Sequence, residues 1–429
     1  MFTRHQQTTN KKKSMKKIFL LLFAFIATTA TQAQNISYGE YMERVLAGNI
    51  MLTAQKMDIE IADAGVTGSK VHNDPTIALT YTNNEDWDKK LGQGIELELS
   101  RSFTFGVRRS RIDLAESERK HAVALLEEYM RNLRADATIA YLENLRATMM
   151  LDEAKEIYNE LSEVATNDSL RFVRGEIAES DYLESRMAQG MARNAVLEAE
   201  AECCNSAIKL GYYMGNLDDA DNYRGTGTLE ITENVAPINH YTGIALEHRA
   251  DLVVALSNVE MAEATQKFNR AARRPDINLT IGATYNRARP DFTTLKAGIA
   301  VPIRFSNLNR GARIMDEVLV RQANIEVEEA KLLITADVMQ AYNDYSYATM
   351  QSETFSQSML NDMDNVVDSK KRAYEMGEIS FLEYLIVERN KSEMQREYID
   401  ALFGKAVAWV ELQRATGFGF EYSTMPVAE

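Results

Sequence analysis

The sequence predicts a mainly α-helical, internally duplicated chain with a small β part. Three observations predict it. Two stretches, 107–174 and 312–376, run 68 and 65 residues without Gly or Pro. The phrase RGEIAESDYL at 174–183 returns as MGEISFLEYL at 376–385, 202 residues later. Ahead of each long stretch lies a pair of short segments in which apolar and polar residues alternate.

Residues 1–33 read as a leader. From Met15 the chain runs MKKIFLLLFAFIATTATQAQ, with Lys16 and Lys17 ahead of an apolar core from Ile18 to Ile26 and a small-residue cleavage site at Thr31-Gln32-Ala33. That is the pattern of a secretory signal peptide, with residues 1–14 as an upstream extension. The apolar run is too short for a permanent membrane helix. No Cys follows the cleavage site, which argues against a lipid anchor there. Loss of the leader, with six Lys/Arg and no Asp/Glu, moves the formal charge from −15 to −21. Such acidity argues against nucleic acid as a partner. It suits a solvated surface or a path for cations.

Nothing in the sequence carries enzymatic chemistry. Cys203 and Cys204 are adjacent, a spacing that disfavours a disulfide, and they read as small core residues. His72, His121, His240 and His248 are scattered, with no metal-ligand spacing. Met149, Met150, Met187 and Met191 read as core fillers rather than a soft-metal ladder. No phosphate loop or nucleophile elbow is present. The expectation is a protein that is not an enzyme, with no cofactor and no bound metal.

The first repeat covers 34–215. After short helices, a β-hairpin is expected at 76–104. Ile77, Leu79 and Tyr81 alternate with Ala78, Thr80 and Thr82, and Ile95, Leu97 and Leu99 with Glu96, Glu98 and Ser100, a period of two. A long helix is expected at 107–174. Leu126, Leu133, Ala140, Ala147, Ala154 and Leu161 recur every seven residues, as do Met130, Ala137, Asn144, Leu151, Tyr158 and Ala165. This is a coiled-coil seam, and Asn144 is its one polar member. Gly175 stands where the helix ends and the chain reverses, followed by a return helix at 177–213.

A turn-rich connector, 216–240, leads to the second repeat at 241–417. Its β-hairpin is expected at 276–305, with Ile277, Leu279, Ile281, Ala283 and Tyr285 on one face, then Ile299, Val301 and Ile303. A long helix is expected at 312–376. Its seam runs through Ala323, Val327, Ala330 and Ile334, slips by four, and resumes at Val338, Ala341, Tyr345, Ala348, Ser352, Phe355 and Met359. Such a stutter locally unwinds the supercoil. Gly377 marks the second tip, and the return helix is expected at 379–415. Residues 418–429 form a tail.

Strands with one apolar and one polar face, in an exported chain, suggest a transmembrane β-barrel in which Glu96 and Glu98 face the lumen. Four strands cannot close a barrel, and an open edge in lipid leaves backbone groups unpaired. Copies must therefore share one wall; three give twelve strands, and two or four would also close.

These residues resemble the TolC-type outer-membrane efflux proteins over nearly the whole mature chain. The resemblance is carried by ELSRSFTFGVRRSRIDLAE in the first half, and by RPDINLTIGATYN, GIAVPIRFSNLNRGARI and YEMGEISFLEYLIVERNKSEMQREYIDALFGKAVAWVELQRATG in the second. The phrases SRSFTFGVRRSRI and VPIRFSNLNRG are most similar to the outer-membrane component of cobalt–zinc–cadmium and copper efflux systems. The resemblance implies a homotrimer in the bacterial outer membrane. Its twelve strands would sit in lipid and a long α-helical coiled-coil barrel would cross the periplasm. The implied partners are a periplasmic adaptor and an inner-membrane pump, of the resistance-nodulation-division type. The implied function is that of a passive exit duct for metal cations or small toxic compounds.

The same resemblance assigns Asp181 and Glu383, each just past a tip Gly, to the lining of a periplasmic aperture. Tyr374 matches the aromatic before the Gly, with Phe172 at the first-half position. A second acid found one turn on in some members falls here on Ile386, so that ring is absent. Three copies of Asp181 and Glu383 would place six carboxylates in a narrow ring, favouring cations over anions. The plainer reading is that both acids serve the helix dipole, a role that Glu176 and Glu378 suit better. Tyr182, Leu183, Tyr384 and Leu385 read as packing residues, with adaptor contact as the sharper alternative. Two other functions suit the sequence: a channel for secreted polypeptides, and a periplasmic coiled-coil structural protein without a pore.

Overall fold

The computed structural model describes residues 34–83, 93–231, 236–287, 293–303, 309–355 and 357–417. The leader, the tail and Arg304 to Leu308 lie outside the described residues. The first half contains β1 (Gln34–Ser37), α1 (Tyr38–Gly48), α2 (Ile50–Ser69), β2 (Thr76–Asn83), β3 (Gln93–Phe103), α3 (Val107–Val173) and α4 (Glu179–Met214). The second contains α5 (Ile238–His248), α6 (Ala250–Ala272), β5 (Ile277–Asn286), β6 (Thr294–Ala300), α7 (Arg310–Thr354), α8 (Gln357–Glu375) and α9 (Phe381–Thr416). Between them, the connector forms a short 3-10 turn at Ala220–Asn222 and β4 at Tyr223–Thr226.

The 67-residue α3 is long enough to extend ~100 Å at the α-helical rise. Its stability rests on the seam rather than on local propensity. Leu133, Ala137, Ala140, Asn144, Ala147, Leu151, Ala154, Leu161 and Ala165 are all buried, while Leu126, Met130 and Tyr158 at the same spacing are half-buried. The small residues let α4, α6 and α9 approach closely. Cys203 fills the seam between Ala147 and Leu151, and Cys204 is partly exposed. Asn144 is fully buried because it has a task. Its side chain donates to Ser206 Oγ at 2.9 Å and accepts the Gly225 N–H at 2.7 Å. The polar break in the heptad pattern is thus the anchor of β4, which pairs in parallel with β1. Sequence patterning left this connector as turns, because its pairing partner lies at the far N-terminus.

The second long helix is not continuous, as 312–376 predicts, but breaks at Phe355 into α7 and α8. Ser and Thr cluster there. Ser352 Oγ donates to the Thr349 carbonyl at 2.8 Å, and the Thr354 hydroxyl bonds the Gln351 carbonyl. Hydroxyls that bond the preceding turn compete with the helix ladder, so a segment without Gly or Pro can still break. The stutter lies inside intact α7, with Ile334 and Val338 on either side fully buried.

The four longer strands form one antiparallel sheet in the order β2-β3-β5-β6. The two hairpins therefore join through their inner strands, β3 and β5, and leave β2 and β6 as edges. β6 ends at Ala300 rather than near 305, with 301–303 outside any strand.

Candidate functional site

The sheet has one wholly apolar face over its upper rows, and that face is uncovered. Tyr81, Ile95 and Tyr285 share one row; Leu79, Leu97, Ala283 and Leu295 form the next; Ile77, Leu99, Ile281 and Ala297 the third. Leu79 is 71% exposed, Leu295 82% and Ile299 74%. Covering one such side chain is worth about 1.5–3 kcal/mol. A dozen of them together outweigh the ~5–15 kcal/mol stability of an ordinary domain. The face must meet an apolar medium. Tyr81 and Tyr285 end it on one side and Phe103 on the other, the arrangement of the aromatic girdles of membrane barrels. No helix among the described residues is long and apolar enough to cross a membrane.

The opposite face carries Thr80, Glu96, Glu98, Ser100, Thr280, Thr284 and Lys296. Glu96 and Glu98 stand side by side on β3 and point away from the apolar rows, because strand side chains alternate. Lys296 pairs with Glu96 at 2.6 Å.

At the other end, two hairpin tips close in the same way. In the first, Gly175 N–H donates to the Phe172 carbonyl and Glu176 N–H to the Arg171 carbonyl, both at 2.9 Å. In the second, Gly377 N–H donates to Tyr374 and Glu378 N–H to Ala373, again at 2.9 Å. Gly175 and Gly377 have φ of 74° and 77°, the left-handed geometry this closure demands. The return helices start at Glu179 and Phe381, so Glu176 and Glu378 sit in the turns and not at helix starts. The first-turn acids are Glu179 and Asp181 in α4, and Glu383 in α9. Glu383 is exposed and its N–H donates to the capping hydroxyl of Ser380 at 3.3 Å; Asp181 is half-buried.

Tyr374 turns inward. It packs with Phe381 and Tyr384 and stacks almost parallel to Tyr384, their centroids 6.0 Å apart. The Arg171 guanidinium covers it at 5.4 Å. Burial and the neighbouring Asp168 carboxylate push its hydroxyl well above the usual range. Phe172, at the equivalent place, is partly exposed and stacks on Tyr182 at 5.2 Å. Leu183 is exposed, and Tyr384 is fully buried with its hydroxyl also pushed up by burial and by Glu388.

Sequence reading passed over several acids in this region. Asp168 is 1% exposed and lies 3.7 Å from Arg171. Glu388 is 2% exposed, and burial with nearby Glu160 raises its carboxyl to about 7. Glu153 is raised to about 7 by burial and Glu156. The signal for Glu388 was its place one turn after Tyr384 on the apolar stripe of α9. Met149 and Met150 pack against the core, while Met187 and Met191 are exposed. No cluster of three or more His, Cys, Asp or Glu among the described residues is arranged to hold a metal ion.

Residues 242–418 match the outer membrane efflux protein family. The matched segment is the second repeat. Over 379 residues it is 20% identical to the cobalt-zinc-cadmium resistance protein CzcC of Cupriavidus metallidurans, covering 86% of this chain and 87% of that one. The fold is also that of solved channels. The Campylobacter jejuni CmeC outer membrane channel superposes with a TM-score of 0.76 at 17% identity, over 90% of this chain and 86% of CmeC. CusC superposes with a TM-score of 0.73 at 17% identity, over 88% of this chain and 91% of CusC. The chain sits in the outer membrane and extends into the periplasm. It is not an enzyme.

Proposed function

We propose that this efflux protein is the passive exit duct of a tripartite pump, carrying metal cations or small toxic compounds out of the cell. One observation carries the reading: the sheet presents an apolar face and ends in two edges, β2 and β6, with no partner strand among the described residues. In lipid those edges require pairing, and three copies pairing β2 to β6 make a twelve-strand wall around the Glu96–Glu98 face. Beneath it, the hairpins of three chains form the periplasmic tunnel. A periplasmic adaptor and an inner-membrane pump of the resistance-nodulation-division type would open it. Asp181 and Glu383 line the closed aperture, and Tyr374 supports them from the core behind. Metal cations as cargo are supported by the name of CzcC and by the acidity of the chain.

The test is twofold. Outer-membrane fractions should yield heat-modifiable trimers that give single-channel conductance in planar bilayers; a soluble, non-conducting rod would overturn the duct. A deletion strain challenged with metals, dyes, detergents and antibiotics names the cargo, and indifference across the metal panel would discard the metal assignment.

A further inference from the structure

The chain is acidic overall, yet three of the four places where it passes between sheet and helices are basic, and the fourth, 70–76, is balanced. The crossings at 70–76, 101–112, 270–276 and 309–315 hold ten Lys/Arg against two Asp/Glu, in a protein with 48 Lys/Arg and 63 Asp/Glu. Contacts join the four crossings into one level. Arg108 and Arg111 donate to the carbonyls of Lys70, Ser69 and Val71 at 2.6–3.0 Å, tying the start of α3 to the end of α2. The Arg274 guanidinium lies against the turn at Gly106, where an added Cβ would be 3.3 Å away. Arg273 pairs with the buried Asp316, which also accepts from Asn269 at 2.9 Å, tying the end of α6 to α7.

Five arginines of these crossings have no such duty: Arg101, Arg109, Arg270, Arg310 and Arg313 are exposed and form no ion pair among the described residues. The four nearest the strands and the starts of the long helices are Arg101, Arg109, Arg310 and Arg313. Arg101 settles the direction. It stands on β3, an inner strand, on the same face as Leu97, Leu99 and Phe103, and lies over the Phe103 ring at 5.4 Å. Pairing of the sheet edges leaves it on the outer surface. It follows directly on the apolar rows. From Ile95 to Phe103 the strand advances ~27 Å, so Arg101 falls at the edge of a tilted strand's apolar band.

We propose that this collar, with Arg101, Arg109, Arg310 and Arg313 as its free members, binds the phosphates of anionic phospholipids in the periplasmic leaflet of the outer membrane. Guanidinium groups suit phosphate oxygens in a bidentate fork. Basic residues just outside an apolar band attract anionic headgroups. The interaction would set how deep the sheet sits and keep the start of each long helix out of the lipid. The proposal rests on the outer-membrane placement but not on the cargo or the gate.

The experiment uses the full chain purified in detergent and counts retained lipid by native mass spectrometry after exposure to phosphatidylglycerol or phosphatidylcholine. Wild type should retain phosphatidylglycerol about tenfold better, and rising salt should erode the preference. The quadruple variant Arg101→Gln, Arg109→Gln, Arg310→Gln, Arg313→Gln should lose it. The same four changed to Lys should keep most of it, and a control with Arg174→Gln and Arg389→Gln, both on the hairpins, should keep all of it. Equal retention of the two lipids by wild type, or an unaltered preference in the Gln variant, overturns the proposal. Should the quadruple variant not fold, Arg101→Gln alone and the wild-type salt series decide. Conductance in phosphatidylcholine bilayers is scored separately, so a conducting channel without lipid preference overturns this inference and leaves the duct standing.

Discussion

Lys296 Nζ lies 2.6 Å from Glu96 Oε1, reaching across β5 from β6 to β3 on the polar face of the sheet. Both side chains are partly solvated, so the pair adds only about 0–1 kcal/mol to stability. Its effect is on charge. It neutralises one carboxylate of the polar face and leaves Glu98 without an ion pair among the described residues.

Lys296→Gln should therefore make the pore more cation-selective, and Glu96→Gln or Glu98→Gln less so. Reversal potentials in asymmetric salt across planar bilayers measure this. The three variants should keep the melting temperature of the parent. Selectivity that ignores all three substitutions would put this face outside the conduction path.

The tips give a second test. If Asp181 and Glu383 line the aperture as proposed, Asp181→Ala with Glu383→Ala should raise conductance or weaken block by polyvalent cations, because carboxylates in a pore attract and hold them. Unchanged conductance and block would remove both residues from the gate.

Stability should depend on pH through Glu388. Its folded-state carboxyl titrates at about 7 instead of 4.5, through burial first and Glu160 second, with Lys391 opposing and Glu153 adding. The folded protein thus holds this proton more tightly than the unfolded chain. The stabilisation is complete below the unfolded value and is lost as pH rises through the folded one. The melting temperature should climb on acidification from about pH 8 to about pH 5. Glu388→Gln should flatten that climb, with Glu153 supplying the remainder. A variant as pH-sensitive as wild type would contradict the assignment.

Asn144→Ala should destabilise the protein by ~1–3 kcal/mol, because the buried Gly225 N–H loses its acceptor. Denaturation of the detergent-solubilised protein should show it. A loss no larger than that of a surface substitution would mean that water replaces the side chain.

Much of this architecture is written in the order of residues. The alternation at 77–81 and 95–99, the seven-residue recurrence through α3, and the paired tip glycines each report a local geometry, and each appears at its place. Periodicity reads faces, and faces depend only on neighbours in sequence. It therefore missed whatever depends on distant partners. It ran one helix through Phe355, where clustered hydroxyls bond the preceding turn. It left the connector as turns, although β4 finds β1 across the first repeat. It placed Glu176 and Glu378 at helix starts that begin three residues later.

The candidate sites divide along the same line. The sequence alone determined that Glu96 and Glu98 share a face opposite Ile95 and Leu97, and that a reversal occurs at Gly175 and Gly377, because a strand's pleat and a left-handed turn are properties of a few consecutive residues. Only the tertiary structure decided that Tyr374 turns into the core, that Asp168 and Glu388 are buried, and that arginines from three crossings gather at one level beside the fourth. Those outcomes depend on which helices meet, and helices hundreds of residues apart meet through packed surfaces that no short stretch of sequence contains.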